Sequence, residues 1–453
     1  MTSQPTYREI LKVCWPLALG MVNNALMQFV DRAYLARFSL SALEAVLPAG
    51  MLVWIVAGFF QSVVGYTSVF VAQYHGAGRT SMCRACVRAA MAVALVSGVL
   101  ACAMVEPCDR ILSLTAPSEA VGGLERTYAN ILLCGSVFLY MQMAAAAYFT
   151  GLGLTRVVFW ANLVGNVINV VLDPFFIFGW CGCPALGMAG AAYVTIGAMA
   201  VQFVILAAVL VRALRRQPPP DESERAGLAL VRRMLRFGVP SALCTVLNCL
   251  SFGVFVFVTG GVGELELAVS NACFTINYLL FAPMEGVAVG VQTLVGRARG
   301  CARDDEVETA LRRTLCLGLA FTAVVCVGVL AFGRPLLALF APTEPTTAAR
   351  FQALGGTLLL IMTTWLLFDA ANTIMFGALK GVGDTRFAMV WMLMNSFGLW
   401  LPAVFAVRTW HNTMPVLWLT LAVQAAVISV GVVLRWRRGR WRTISLIPSE
   451  AKL

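Results

Sequence analysis

Charge is scarce in this 453-residue sequence. Asp, Glu, Lys and Arg together make up 12%, and there are only two histidines. A water-soluble domain carries about twice that share of charge to cover its surface. A disordered chain carries more charge still, with fewer apolar residues. The two histidines, His75 and His411, lie far apart near loop ends, so there is no imidazole cluster for a transition metal. No GxxxxGK[ST] stretch occurs, which excludes the P-loop route to nucleotide binding. GLGLTR (151–156) and GVGDTR (381–386) contain G-x-G, but they join apolar runs and follow no strand, which removes a dinucleotide reading. No nucleophile stands paired with a base, so the chain is not expected to be an enzyme. No cofactor is expected beyond a coupling ion.

Apolar residues, by contrast, make up 60% of the chain. Runs long enough to cross a bilayer recur twelve times, at 11–35, 43–72, 89–108, 127–150, 157–180, 187–211, 237–260, 266–295, 314–333, 351–378, 387–407 and 413–434. The expected fold class is therefore all-α: a polytopic membrane protein with twelve transmembrane helices. The first run is read as a span and not as a cleavable signal, because Asn23, Asn24, Gln28 and Asp31 interrupt its centre and no small-residue cleavage site follows.

Net charge is +11, and its placement sets the topology. With the N-terminus inside, only Arg32, Arg37, Arg110, Arg126, Arg334, Arg350 and Arg408 of the 33 Lys and Arg residues fall outside. The positive-inside bias therefore puts both termini in the cytoplasm of a plasma (inner) membrane. The basic charge is assigned to membrane lipids and not to nucleic acid. Most of the fourteen cysteines fall within spans as small apolar residues, among them Cys102, Cys134, Cys244, Cys249, Cys273 and Cys326. Cys83-x-x-Cys86 is a lone pair with no nearby His, and Cys181 and Cys183 are expected as free thiols.

The spans divide six and six about RALRRQPPPDESERAGLALVRR (212–233), a Pro-rich connector of mixed charge. The expected organisation is an N-lobe at 1–213, a linker at 214–233, a C-lobe at 234–436 and a basic tail at 437–453. Motifs repeat between the halves at near-constant spacing: WPLALG (15–20) with VPSALC (239–244), VAQYHGAG (71–78) with VGRARGCA (295–302), and GLGLTR with GVGDTR. Six spans separate the repeats, so the two six-helix lobes share orientation. They are expected to be related by an axis along the membrane normal, with a cavity between them, which is a transporter architecture.

Polar residues inside the spans mark candidate sites, because intramembrane charge is costly. Asn162, Asn166, Asn169 and Asp173 lie on one face of span five, at spacings that place them within about 60°. Such amide and carboxylate oxygens suit a small hard cation or a proton network. Equally, the asparagines alone could form a polar clamp between helices. Pro174 frees the carbonyl of Val170 close to Asp173. Asn24, Gln28 and Asp31 form a second stripe on span one. Two carboxylates, Asp31 and Asp173, in one lobe repel when both are ionised, which is a physical basis for proton or sodium coupling. In the second half, Asp369 lies near Trp365, Asn372 and Thr373. Tyr278 and Glu285 share a face of span eight with Asn271 and Gln292, and Asn248 lies in span seven. Aromatic rings beside a carboxylate favour an organic cation, and Asn24, Gln28, Asn166, Asn248, Tyr278, Glu285, Trp365, Asp369 and Asn372 are expected to line the substrate cavity.

Several segments resemble the multidrug and toxin extrusion (MATE) family, within the multidrug/oligosaccharidyl-lipid/polysaccharide exporter group. They are FVDRAYLARFSLSALEAV (29–46), VAQYHGAG, NVVLDPFFIFG (169–179) with LGMAGAAYVT (186–195), LVGRARG (294–300) and FDAANTIMFGALKGVGDTR (368–386). The resemblance runs through both halves. It implies export of small organic cations or amphipathic compounds in exchange for protons or sodium ions, by a chain expected to act as a monomer. By position, Asp31, Asn169, Asp173 and Thr195 match the family's N-lobe cation site, with Asp31, Asn169 and Asp173 as sodium ligands. Asp369 matches a C-lobe carboxylate of some branches. The sequence departs from those branches at Asn248, where they carry glutamate, and this favours coupling through the N-lobe. Two other functions stay open at this point: a lipid-linked oligosaccharide flippase of the same group, and an uncoupled channel or receptor.

Overall fold

A computed structural model describes residues 5–115, 118–215, 227–342 and 344–447. Most of the Pro-rich connector (216–226) and the end of the basic tail (448–453) lie outside the described residues. Among those described, there are twelve helices long and apolar enough to cross a membrane and no strand. The spans are Tyr7–Phe38, Glu44–Gly76, Thr80–Leu114, Val121–Gly151, Thr155–Phe178, Met188–Arg215, Leu228–Gly260, Glu264–Gly300, Asp304–Ala338, Pro345–Val382, Thr385–Trp410 and Met414–Arg437. Every apolar run of the sequence falls on one of these helices. Most helices extend past their run at one or both ends. Span seven, for example, starts at Leu228 and carries Arg232, Arg233 and Arg236 before its apolar stretch. Hydropathy marks only the hydrocarbon slab, whereas the i→i−4 ladder continues into the headgroup region.

Nine spans are single α-helices: α1 (Tyr7–Phe38), α6 (Glu119–Gly151), α7 (Thr155–Phe178), α8 (Met188–Arg215), α9 (Leu228–Gly260), α10 (Glu264–Gly300), α11 (Asp304–Ala338), α12 (Pro345–Val382) and α15 (Met414–Arg437). Three are jointed. Span two is α2 (Leu40–Gly65) and α3 (Thr67–Gly76), meeting at Tyr66, and span three is α4 (Thr80–Ala103) and α5 (Val105–Thr115). Span eleven is α13 (Thr385–Leu393), a π-turn over Met394–Trp400, and α14 (Leu401–Trp410). Local signals set several ends. The Ser39 and Ser118 hydroxyls accept from the amides of Ala42 and Val121 and so cap α2 and α6. Gly179 (φ 78°) closes α7 in the left-handed region, which turns the chain sharply after Phe178.

The chain forms two compact units. The N-terminal unit holds Leu19–Leu243, Gly296–Arg303 and the chain from Leu446, and the C-terminal unit holds the chain up to Ala18, Cys244–Val295 and Asp304–Ser445. α1 and α9 each change unit partway, at corresponding places in the repeat. In the N-terminal unit, small residues let α4 and α6 approach closely. Ala85, Ala90, Ala94 and Ala101 are fully buried on α4, as are Ala144 and Ala145 on α6. A Cβ on Gly98 would lie 2.7 Å from the Val137 Cβ. Close van der Waals approach of this kind holds membrane helices together where lipid offers no hydrophobic drive. The C-terminal unit is built instead around stacked rings. Trp418 lies 4.6 Å from Phe274 and 5.1 Å from Trp365, and Phe255 lies 5.3 Å from Trp400.

Candidate functional site

α7 carries the polar stripe read from the sequence, and the fold turns it inward. Asn166, Asn169 and Asp173 are buried, the last two completely. Asp31 on α1 meets this stripe, and its carboxyl lies within hydrogen-bonding reach of that of Asp173. On α8, Thr195 faces the same place: Asn169 Nδ2 lies 3.4 Å from its hydroxyl oxygen, while the hydroxyl donates to the Ala191 carbonyl at 2.8 Å. Tyr128 on α6 is an electrostatic neighbour of both carboxylates. The four residues expected at the cation site therefore come together within one unit.

Among the described residues, no donor reaches either oxygen of Asp173, Asp31 Oδ1 or Asn169 Oδ1, although all four atoms are buried. Buried acceptors without partners are costly, and two adjoining carboxylates add repulsion. A proton shared between the acids, or a small cation held by these oxygens, relieves both penalties. The oxygens of Asp31, Asn169 and Asp173 form a hard donor set that fits sodium.

A second network lies beside the first. Asn166 Nδ2 donates to Asn24 Oδ1 at 2.7 Å, and Gln202 Nε2 on α8 donates to Asn166 Oδ1 at 3.1 Å. Asn162 turns to α6, where Gln142 Nε2 donates to its Oδ1 at 2.9 Å. The asparagines nearer the start of α7 thus do act as an interhelical clamp, which takes the buried Asn166 out of the expected substrate cavity and leaves the oxygens of Asn169 and Asp173 without a donor among the described residues. Gln28 is half-buried on α1. Gly165 leaves the space that the Gln202 side chain fills, and a Cβ there would collide with it. Gly165→Val is expected to push Gln202 off Asn166 and to cost about 1–3 kcal/mol, read as a lowered Tm in detergent.

In the C-terminal unit, Asp369 and Glu285 are electrostatic neighbours, and Lys380 and Cys249 also adjoin Glu285. Asn248, Tyr278 and Glu285 are exposed, and Asp369 is half-buried. Trp365 and Asn372 do not join them in open space, which corrects the expectation that both line the substrate cavity. Trp365 is packed in the ring stack. Asn372 is spent inside the unit, donating to the Ala425 carbonyl at 2.8 Å and accepting from the Ser429 hydroxyl at 2.7 Å. An unpaired amide at that depth would cost more than the packing gains, so the helix turns Asn372 toward α15.

Sequence reasoning overlooked Gln202 and Tyr128. Gln202 had a signal, as an isolated amide in a strongly apolar span. Tyr128 had none that separates it from an ordinary interfacial tyrosine.

The repeat shows what became of the site's other copy. Asn24 corresponds to Asn248, and Gln202 to Gln424, which likewise donates to span eleven, reaching the Ser396 hydroxyl at 3.4 Å. Asp31, however, corresponds to Phe255. Past the extra residue that the π-turn inserts, Asn169 and Asp173 correspond to Trp400 and Val404. Thr195, two turns before its glutamine, corresponds to Leu417. Phe255, Trp400, Val404 and Leu417 are all buried in one apolar cluster. Where the N-terminal unit holds a buried group of carboxylate and amide oxygens, the C-terminal unit is filled with packed apolar side chains.

The sequence matches the MatE family model over residues 16–175 and 240–405. The chain belongs to the MatE family. Its relatives include the probable multidrug resistance protein NorM of Thermotoga maritima, 24% identical over 98% of this chain and 95% of that protein. The probable multidrug resistance protein NorM of Rhizobium meliloti is 26% identical over 86% of this chain and 84% of its own length. Among solved structures, an outward-facing multidrug resistance MATE transporter superposes with a TM-score of 0.86 at 20% identity, covering 99% of this chain and 98% of that one. A Vibrio cholerae MATE transporter gives 0.85 at 18% identity, over 97% and 98%. These likenesses establish the twelve-helix MATE fold. The chain is a multi-pass membrane transporter related to multidrug exporters.

Proposed function

We propose that the chain is a secondary antiporter that exports cationic or amphipathic compounds in exchange for protons or sodium ions. Asp31, Asn169, Asp173 and Thr195 form the coupling site. The observation that carries this reading is the group of four buried oxygens that no donor satisfies. An ion drives a transporter only if it binds two conformations with different affinity. Oxygens left unsatisfied in one arrangement supply that difference. The test is ethidium efflux from proteoliposomes under an imposed pH gradient or an imposed sodium gradient. Efflux driven by one of them, or by both, supports coupling and names the ion. Efflux indifferent to both overturns it.

Glu285 and Asp369 are assigned to the cationic group of the substrate. They adjoin in the C-terminal unit, Glu285 is exposed, and neither has an acidic counterpart in the repeat: Gln61 and Leu139 stand at the corresponding places. Asn248 and Tyr278 are exposed in the same unit. Glu285→Gln is therefore expected to raise the apparent KM for ethidium about tenfold, the effect of losing about 1.4 kcal/mol of binding, with the gradient dependence kept. An unchanged KM would remove Glu285 from substrate recognition.

A further inference from the structure

Apart from transport, two thiols in the N-terminal unit stand in an arrangement that the coupling reading does not use. Cys102 on α4 and Cys134 on α6 lie with their sulfurs 3.3 Å apart. Both residues are exposed. They share their helix faces with Leu95, Val99 and Phe138, which are also exposed, so the pair opens onto the lipid side of spans three and four. Other cysteines donate to backbone carbonyls: Cys83 to Val71, Cys244 to Ala388, Cys273 to Gly355 and Cys301 to Gly76. The repeat sharpens the contrast. The position matching Cys102 is Cys326, whose sulfur donates to the Thr363 carbonyl at 3.8 Å and meets no second thiol there.

We propose that Cys102 and Cys134 form an oxidisable dithiol that closes to a disulfide on reaction with a lipid-soluble organic hydroperoxide. A disulfide bond is about 2.05 Å long, so the sulfurs must approach by about 1.2 Å, a movement that side-chain rotation supplies. Reaction starts at one of the two sulfurs as its thiolate, which is the nucleophilic form. That sulfur attacks the terminal peroxide oxygen: an S–O bond forms, the O–O bond breaks and an alcohol leaves with a proton. The second thiol then displaces hydroxide from the sulfenic acid as water, forming the S–S bond. Overall, two thiols and one hydroperoxide give one disulfide, one alcohol and one water. The two sulfurs together lose two electrons, and the peroxide gains them. The place of the site on the lipid face explains the choice of oxidant, because peroxidised acyl chains reach it without crossing water.

The experiment uses the full chain in lipid nanodiscs treated with cumene hydroperoxide, followed by non-reducing proteolysis and mass spectrometry. The expected product is a Cys102 peptide joined to a Cys134 peptide, two hydrogens lighter than the sum of the two and released by dithiothreitol, while Cys326 stays alkylatable. C102S and C134S should both lose the joined species, and the remaining thiol should accumulate as sulfinic acid. The proposal is overturned if Cys102 and Cys134 stay alkylatable while other cysteines oxidise. It is equally overturned if they become sulfinic acids singly in the unsubstituted chain, or if copper phenanthroline joins them and the hydroperoxide does not. None of these readouts depends on transport.

Discussion

Asp173→Asn is expected to reduce ion-driven ethidium efflux to the background of empty vesicles while the protein stays folded. Asparagine has nearly the same shape as aspartate, and the side chain is fully buried, so packing is preserved. Among the described residues only the Asp31 carboxyl lies within reach of an Asp173 oxygen, and the asparagine amide can donate to Asp31 in place of a shared proton. What disappears is the group that takes up a proton or cation, together with its repulsion toward Asp31. Thermal unfolding should therefore show a Tm that is unchanged or raised, since the repulsive pair is the unfavourable term in the native state. Wild-type flux in this variant would refute the site assignment. A lowered Tm would show instead that the carboxylate has a structural role.

The position that matches Asp31 in the other unit should give the opposite result. Phe255→Asp places a carboxylate in the ring stack, where Trp400 lies 5.3 Å away and buried apolar side chains pack around it. A buried unpaired charge is among the few single changes that unfold a domain, so this variant is expected to fail in expression or to aggregate on extraction. The milder Trp400→Ala should fold but lose about 3–5 kcal/mol, read as a large drop in Tm with ion dependence unchanged. Under the proposed coupling, aspartate at 31 serves transport and phenylalanine at 255 serves folding, although the duplication gave them the same place. A well-folded Phe255→Asp protein would show that the C-terminal unit is not sealed there.

Much of this was legible in the sequence, for identifiable reasons. The twelve spans were visible because helices in lipid must be apolar over a fixed length. Asp31, Asn169 and Asp173 stood out because a polar residue at membrane depth needs a cause, and helical spacing put the last two on one face. Thr195 could come only from the family resemblance, since threonine is unremarkable in a span. Trp365 and Asn372 were misplaced because spacing around Asp369 shows proximity along one helix but not which neighbour receives a side chain. The neighbours that decided it, Trp418, Ala425 and Ser429, lie on a different span. Gln202 is a similar case: its partner Asn166 lies across a helix interface that no linear pattern displays. The π-turn at Met394–Trp400 was also hidden, and without its inserted residue the two copies of the site cannot be aligned.

The filled copy limits what evolution or engineering can do with this transporter. A second driving ion per cycle is not one substitution away, because Phe255, Trp400, Val404 and Leu417 would all have to shrink and become polar together. Any intermediate would carry a stranded charge or a void. The stoichiometry of the proposed exchange is thus protected by how firmly the C-terminal unit is packed.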